Sequence, residues 1–187
     1  MYTSEADICN AALYKVGGAR IISLSDNTRE GKLCKDIYAK TRRRLLRSHP
    51  WGFATKRVSI PALMTTPAFE FSKEYQLPAD CLRVFKVEDD EIYPWRIEGK
   101  KLVTDNGAAL IRYVYDNTDV SSYPDDFSDA LAGAIAVELS YPLSSSDTLR
   151  KEVFAYAQDS LRKARNANAQ EGAGDRFYAD EWLNSRY

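Results

Sequence analysis

The sequence predicts an α+β protein, mainly α: a four-helix bundle with a small antiparallel β-sheet inserted between helices 2 and 3, and a C-terminal extension. Three observations predict this. Capped segments with apolar residues at helical spacing occupy both ends of the 187-residue chain. Between them lie short extended runs rich in β-branched and aromatic residues. A later segment is apolar on every side, as befits a helix at the centre of a bundle. The expected organisation is one discontinuous helical domain (1–54 and 116–172), a β lobe (55–115) and a C-terminal arm (173–187).

Helix 1 opens at Ser4-Glu5-Ala6-Asp7, a Ser-x-x-acid capping box that satisfies orphan N–H groups. Ile8, Cys9, Ala12, Leu13 and Val16 supply its apolar stripe, and Gly17-Gly18 stops it. Helix 2 is expected from Asn27, paired with Glu30 as a second cap, to about Ser48, a length of roughly 33 Å. Cys34, Ile37, Tyr38, Thr41 and Leu45 share one face, while Lys40, Arg43, Arg44 and Arg47 cluster on another. Pro50 disfavours helix at His49 and closes the segment.

The middle third reads as strands at 56–60, 69–77, 82–87, 92–97, 101–104 and 109–115. Glu98-Gly99-Lys100 is a turn between two of them, which makes 93–103 a hairpin. Helix 3 is expected to start at Tyr123-Pro124 with the proline at its first position and to end at Pro142. Glu138 points the same way as Phe127, Leu131 and Ala134, so it is expected to be buried and paired. Helix 4 follows Ser144-Ser145-Ser146-Asp147, with Leu149, Val153, Tyr156, Ala157, Leu161 and Ala164 on one side and Gly172-Ala173-Gly174 as its stop.

Composition narrows the chemistry. Net charge is −1, which gives no global pull toward nucleic acid or membrane. No run approaches the ~20 apolar residues of a membrane span, and the N-terminus has no basic segment leading into an apolar core. The cysteines are odd in number (Cys9, Cys34, Cys81) and lack a C-x-x-C spacing, which suits reduced, buried thiols. With one histidine, His49, the usual tetrahedral zinc ligands are not at hand. Nucleophile-elbow, phosphate-loop and dinucleotide fingerprints are missing as well. No enzyme activity, cofactor or metal is expected.

Charge is segregated along the chain. Arg29, Lys32, Lys35, Lys40, Arg42, Arg43, Arg44, Arg47, Lys56 and Arg57 face only Glu30 and Asp36 in the same stretch. From Asp116 to Asp147 there are acids and no base, Asp119, Asp125, Asp126 and Asp129 among them. Two readings follow. The charges cancel within one chain, or the basic face of one copy (Lys40, Arg43, Arg44, Arg47) meets the acidic face of the next, which fixes orientation and register. The same arginines also suit sequence-independent phosphate contact, making a DNA-binding module the alternative. The arm holds Arg176, Phe177, Tyr178, Trp182, Arg186 and Tyr187 within thirteen residues, and residues of these types dominate binding hot spots. It either covers its own domain or docks on a partner.

Several segments carry a family resemblance. Ile8-Cys9-Asn10-Ala11-Ala12-Leu13, Val16-Gly17, Ile22-Ser23-Leu24-Ser25-Asp26 and Cys34 with Tyr38 resemble the tail tubular protein A family. The most specific stretch is Arg43-Arg44-Leu45-Leu46-Arg47-Ser48-His49-Pro50-Trp51-Gly52-Phe53-Ala54, and Tyr75-Gln76-Leu77-Pro78-Ala79-Asp80-Cys81-Leu82-Arg83-Val84 is similar too. The likeness is good over about the first sixty residues and looser beyond. It implies a virion structural protein made in the bacterial host cytoplasm: a head-to-tail adaptor of short-tailed bacteriophages. Such an adaptor forms a dodecameric ring beneath the portal, contacts the tail nozzle protein and passes DNA through its lumen. The resemblance further implies that the bundle makes the ring, the sheet faces the tail and the arm docks on the portal. No membrane anchor is implied.

Overall fold

A computed structural model describes residues 2–171. The fold is α+β, 48% helical, with four α-helices and two small antiparallel three-stranded sheets among the described residues. Helix α1 spans Glu5–Val16; the Ser4 hydroxyl accepts the Asp7 N–H, and Gly17 ends the helix at a left-handed φ of 72°. Helix α2 spans Arg29–Ser48 and is capped by Thr28, which accepts the Gly31 N–H. The cap is thus one residue later than expected from Asn27 and Glu30.

Trp51 follows α2 and leads through a short 3-10 turn, Gly52–Ala54, into strand β1 (Thr55–Ile60). The remaining strands are β2 (Lys73–Gln76), β3 (Cys81–Val87), β4 (Trp95–Glu98), β5 (Lys101–Thr104) and β6 (Ala109–Tyr115). The single expected sheet is two. One has the order β1-β6-β3 and the other β2-β5-β4. The hairpin is β4–β5, turned by Gly99-Lys100, where Gly99 takes φ 60°, a conformation open to glycine. Two expected strands are shorter at their starts. Glu70 adopts φ 71° ahead of β2, and Asp89 (φ 58°) accepts the Ile92 and Tyr93 N–H groups in a turn ahead of β4.

Strand β6 explains the division of the core. It is the middle strand of its sheet, with Ala109, Ile111 and Tyr113 buried on one face and Val114 on the other, where Leu110 is exposed. Val114 and Leu82 join the helical cluster, whereas Ile111 and Tyr113 join Tyr75, Val84 and Leu102 in a second cluster among the strands.

Helix α3 (Asp125–Leu143) packs against α1, α2 and α4 and is buried along most of its length. Pro124 is its N-cap rather than its first residue. Pro142 lies inside the last turn, where it withholds an N–H from the Glu138 carbonyl one residue before the helix ends, and Arg29 donates to its carbonyl at 2.5 Å. Helix α4 (Asp147–Glu171) approaches α3 closely at Gly133: a Cβ there would lie 3.1 Å from the Ala157 Cα. Val153, Ser160 and Ala164 are its buried positions, so Tyr156, expected inside, stands partly exposed. The end of α4 expected at Gly172-Ala173-Gly174 lies outside the described residues.

Candidate functional site

The junction between helices and strands is an aromatic cluster. Trp51 is 1% exposed and its ring centroid lies 5.0 Å from Phe127 and 4.8 Å from His49. Phe53 bridges to Tyr123 and Phe127 at 5.6 and 4.7 Å. The Trp51 indole N–H donates to the Leu45 carbonyl at 3.1 Å, which ties the cluster to the end of α2. His49 receives the Asn168 side-chain amide at 3.1 Å; burial, with Arg165 and Arg83 nearby, holds its imidazole below the usual histidine range.

Much of the expected basic face is engaged within the chain. Arg43 reaches Asp116 at 3.5 Å, Arg44 reaches Glu138 at 2.8 Å, and Arg47 donates to the Leu82 carbonyl. Lys40 is exposed and has no ion pair among the described residues. Glu138 is paired as expected, yet its side chain is 40% exposed, because α2 meets α3 there at the surface rather than in the core. Arg42, which helical spacing left off the basic face, is the buried one. Its side chain is 7% exposed, 2.9 Å from Asp116 and 3.8 Å from Glu5. Part of the basic stretch therefore cancels part of the acidic stretch inside one molecule.

The acidic residues are scattered in role. Asp119 caps the 3-10 turn Val120–Ser122 through the Ser121 N–H at 3.0 Å. Asp129 accepts the Tyr2 hydroxyl at 2.5 Å, and burial together with that carboxylate pushes the phenol up. Asp125 and Asp126 stand exposed in the first turn of α3, where the helix dipole favours them. The arm residues Arg176, Phe177, Tyr178, Trp182, Arg186 and Tyr187 lie outside the described residues.

The described residues leave three surfaces uncovered. The first is an apolar groove between α2, α3 and α4, lined by Leu45, Ala130, Ala134, Val137, Phe154 and Leu161, with Phe154 53% exposed. The second is a row of cations across the β1-β6-β3 sheet: Arg57 faces Arg112, and Arg112 faces Lys86. None of the three has an ion pair among the described residues, and like charges directly opposite repel. The third is a cleft of about 770 Å³ between the C-terminal half of α2 and the strands, carrying Arg43, Arg47, Arg83 and Lys100.

Reasoning from sequence missed the last two surfaces. In the row each cation sits in a different strand, and only the pairing register brings them side by side; the cleft joins two arginines of α2 to Arg83 of β3 and Lys100 of the hairpin turn. The available signal was a charged residue interrupting an apolar strand run, at Lys86 and Arg112.

Among the described residues no helix is long and apolar enough to cross a membrane, and no group of three His, Cys, Asp or Glu side chains is placed to hold a metal ion. No protein-family model matches the chain, and no curated protein matches it.

Proposed function

We propose that this chain is a non-catalytic head-to-tail adaptor of a short-tailed bacteriophage, a ring subunit between portal and tail nozzle whose lumen passes the genome. In this reading the helices act as a four-helix bundle (1–54 and 116–172) that makes the ring. The strands (55–115) form an inserted lobe toward the tail, and 173–187 is the portal-docking arm.

The observation that supports it best is the apolar groove over α2, α3 and α4. Phe154 lines it half-exposed, where a lone chain gains nothing from exposing an aromatic ring. A neighbouring subunit would cover that surface. The resemblance adds to this, since its most specific stretch (43–54) forms the Trp51 junction on which both lobes rest.

Sedimentation velocity of the full chain against Phe154→Asp tests the assignment. Wild type assembling into a closed oligomer while the variant, with an unchanged unfolding midpoint, stays monomeric is the expected result. Identical sedimentation of the two would remove the groove from the account.

A second reading, a DNA-binding module, is favoured by the Arg57–Arg112–Lys86 row. It requires duplex binding by the monomer, with log K falling against log salt at a slope of roughly −3 for three phosphate contacts. Arg112→Gln should flatten that slope by about one unit.

A further inference from the structure

We propose that the basic cleft receives the acidic turn joining β3 to β4 of a second copy of this chain, a head-to-tail contact within the ring; the proposal rests on the adaptor reading.

The cleft presents Arg43, Arg47, Arg83 and Lys100, and none of its lining residues is a carboxylate. Arg47 and Arg83 are held in place by backbone carbonyls, Leu82 for the first and Arg47 (3.2 Å) for the second, rather than by anions. Only Arg43 has a carboxylate partner among the described residues, Asp116. Leu77, Leu82 and Ile97 give the same cleft an apolar side. Its occupant should therefore be a peptide carrying both negative charge and apolar side chains. A phosphodiester backbone would leave the apolar side unused.

The chain itself displays such a peptide. Residues 88–91 are Glu-Asp-Asp-Glu, all exposed, followed by Ile92 at 70% and Tyr93 at 38% exposure. The turn is a formed one: the Asp89 carbonyl accepts both the Ile92 and Tyr93 N–H groups, at 3.0 and 2.9 Å. It projects from the end of β3 opposite Cys81 and Leu82, which line the cleft. Seven strand residues separate those ends by roughly 20 Å, so the turn cannot fold back into its own cleft. Turn and cleft are different surfaces, and such a contact propagates from copy to copy until a rotation closes it. Charge complementarity on this scale fixes register between neighbours.

Paired cysteines test this. Ile92→Cys and Lys100→Cys are placed together in a Cys81→Ser chain, full length, and oxidised with copper-phenanthroline at about 100 µM protein. Within one chain seven residues lie between the two positions, and the extended β4 among them alone spans about 13 Å, beyond the ~7 Å Cα separation a disulfide allows. The expected product is a ladder of dimer, trimer and higher disulfide-linked species, with each single cysteine giving dimer at most.

A double variant that stays monomeric or stops at dimer overturns the proposal. Sedimentation of the same samples, alone and with the portal ring, separates the failures. Assembly without the ladder rejects this contact and leaves the adaptor reading standing. Absence of both assembly and ladder rejects both.

Discussion

Replacing Trp51 with alanine probes the joint where α2 leads into β1. The ring is 1% exposed and packs against His49, Phe53 and Phe127. A tryptophan buries about 200 Å². At about 25 cal/mol per Å² this gives close to 5 kcal/mol, at the upper end of the ~3–5 kcal/mol seen for aromatic-to-alanine changes in cores. The lost N–H bond adds little to that figure, because the Leu45 carbonyl keeps the Ser48 hydroxyl at 2.7 Å. Trp51→Phe should accordingly retain most of the stability and cost about 1–2 kcal/mol. Urea unfolding followed by far-UV circular dichroism measures both, with the slope checked for constancy. A Trp51→Ala change below about 1 kcal/mol would refute the reasoning, since no buried ring of this size can be lost so cheaply.

Three further outcomes follow from the same contacts. Arg42→Ala leaves Asp116, with its side chain 21% exposed, only the longer Arg43 contact. It should cost about 2–4 kcal/mol by urea unfolding; a loss under about 0.5 kcal/mol would mean the pair is idle. Glu138→Gln breaks an exposed ion pair and should cost less than about 1 kcal/mol, so a larger shift would contradict the surface placement of that pair. His49 is the chain's one histidine, and its folded pKa lies below the unfolded value near 6.5. Its contribution is complete above that pH and is lost as pH falls through the folded pKa, because the unfolded chain takes up the proton first. Thermal midpoints should therefore start to fall below about pH 6.5, and His49→Gln should flatten the decline. An unchanged pH profile in the variant would assign the decline elsewhere.

The parts of the fold legible in the sequence were those fixed by local chemistry. Ser4 caps α1, Gly17 ends it, Gly99-Lys100 turns the hairpin, and the all-round apolar surface of α3 puts it among the other helices. Choices decided by distant packing were not legible. Helical spacing left Arg42 off the basic face of Lys40, Arg43, Arg44 and Arg47, but nothing local names Asp116, 74 residues away, as the carboxylate it meets. Nor does any local signal pair β6 with β1 and β3 while β5 takes β2 and β4. That pairing is what splits one expected sheet into two and sets Arg57, Arg112 and Lys86 in a row. Glu138 fell between the two cases. Helical geometry set it on the side of Phe127, Leu131 and Ala134 and it is paired, but its exposure depended on how closely α2 lies there.

The central claim is that this chain is an adaptor docked on a portal, and co-sedimentation with the portal ring encoded in the same genome tests it most directly. Full-length chain and a truncation at Gly174 are each mixed with the ring and pelleted. The account predicts stoichiometric recovery of the full-length chain and loss of recovery on truncation. Failure of both forms to pellet, with tight binding to duplex DNA instead, would contradict it and move the function to the cation row on the sheet.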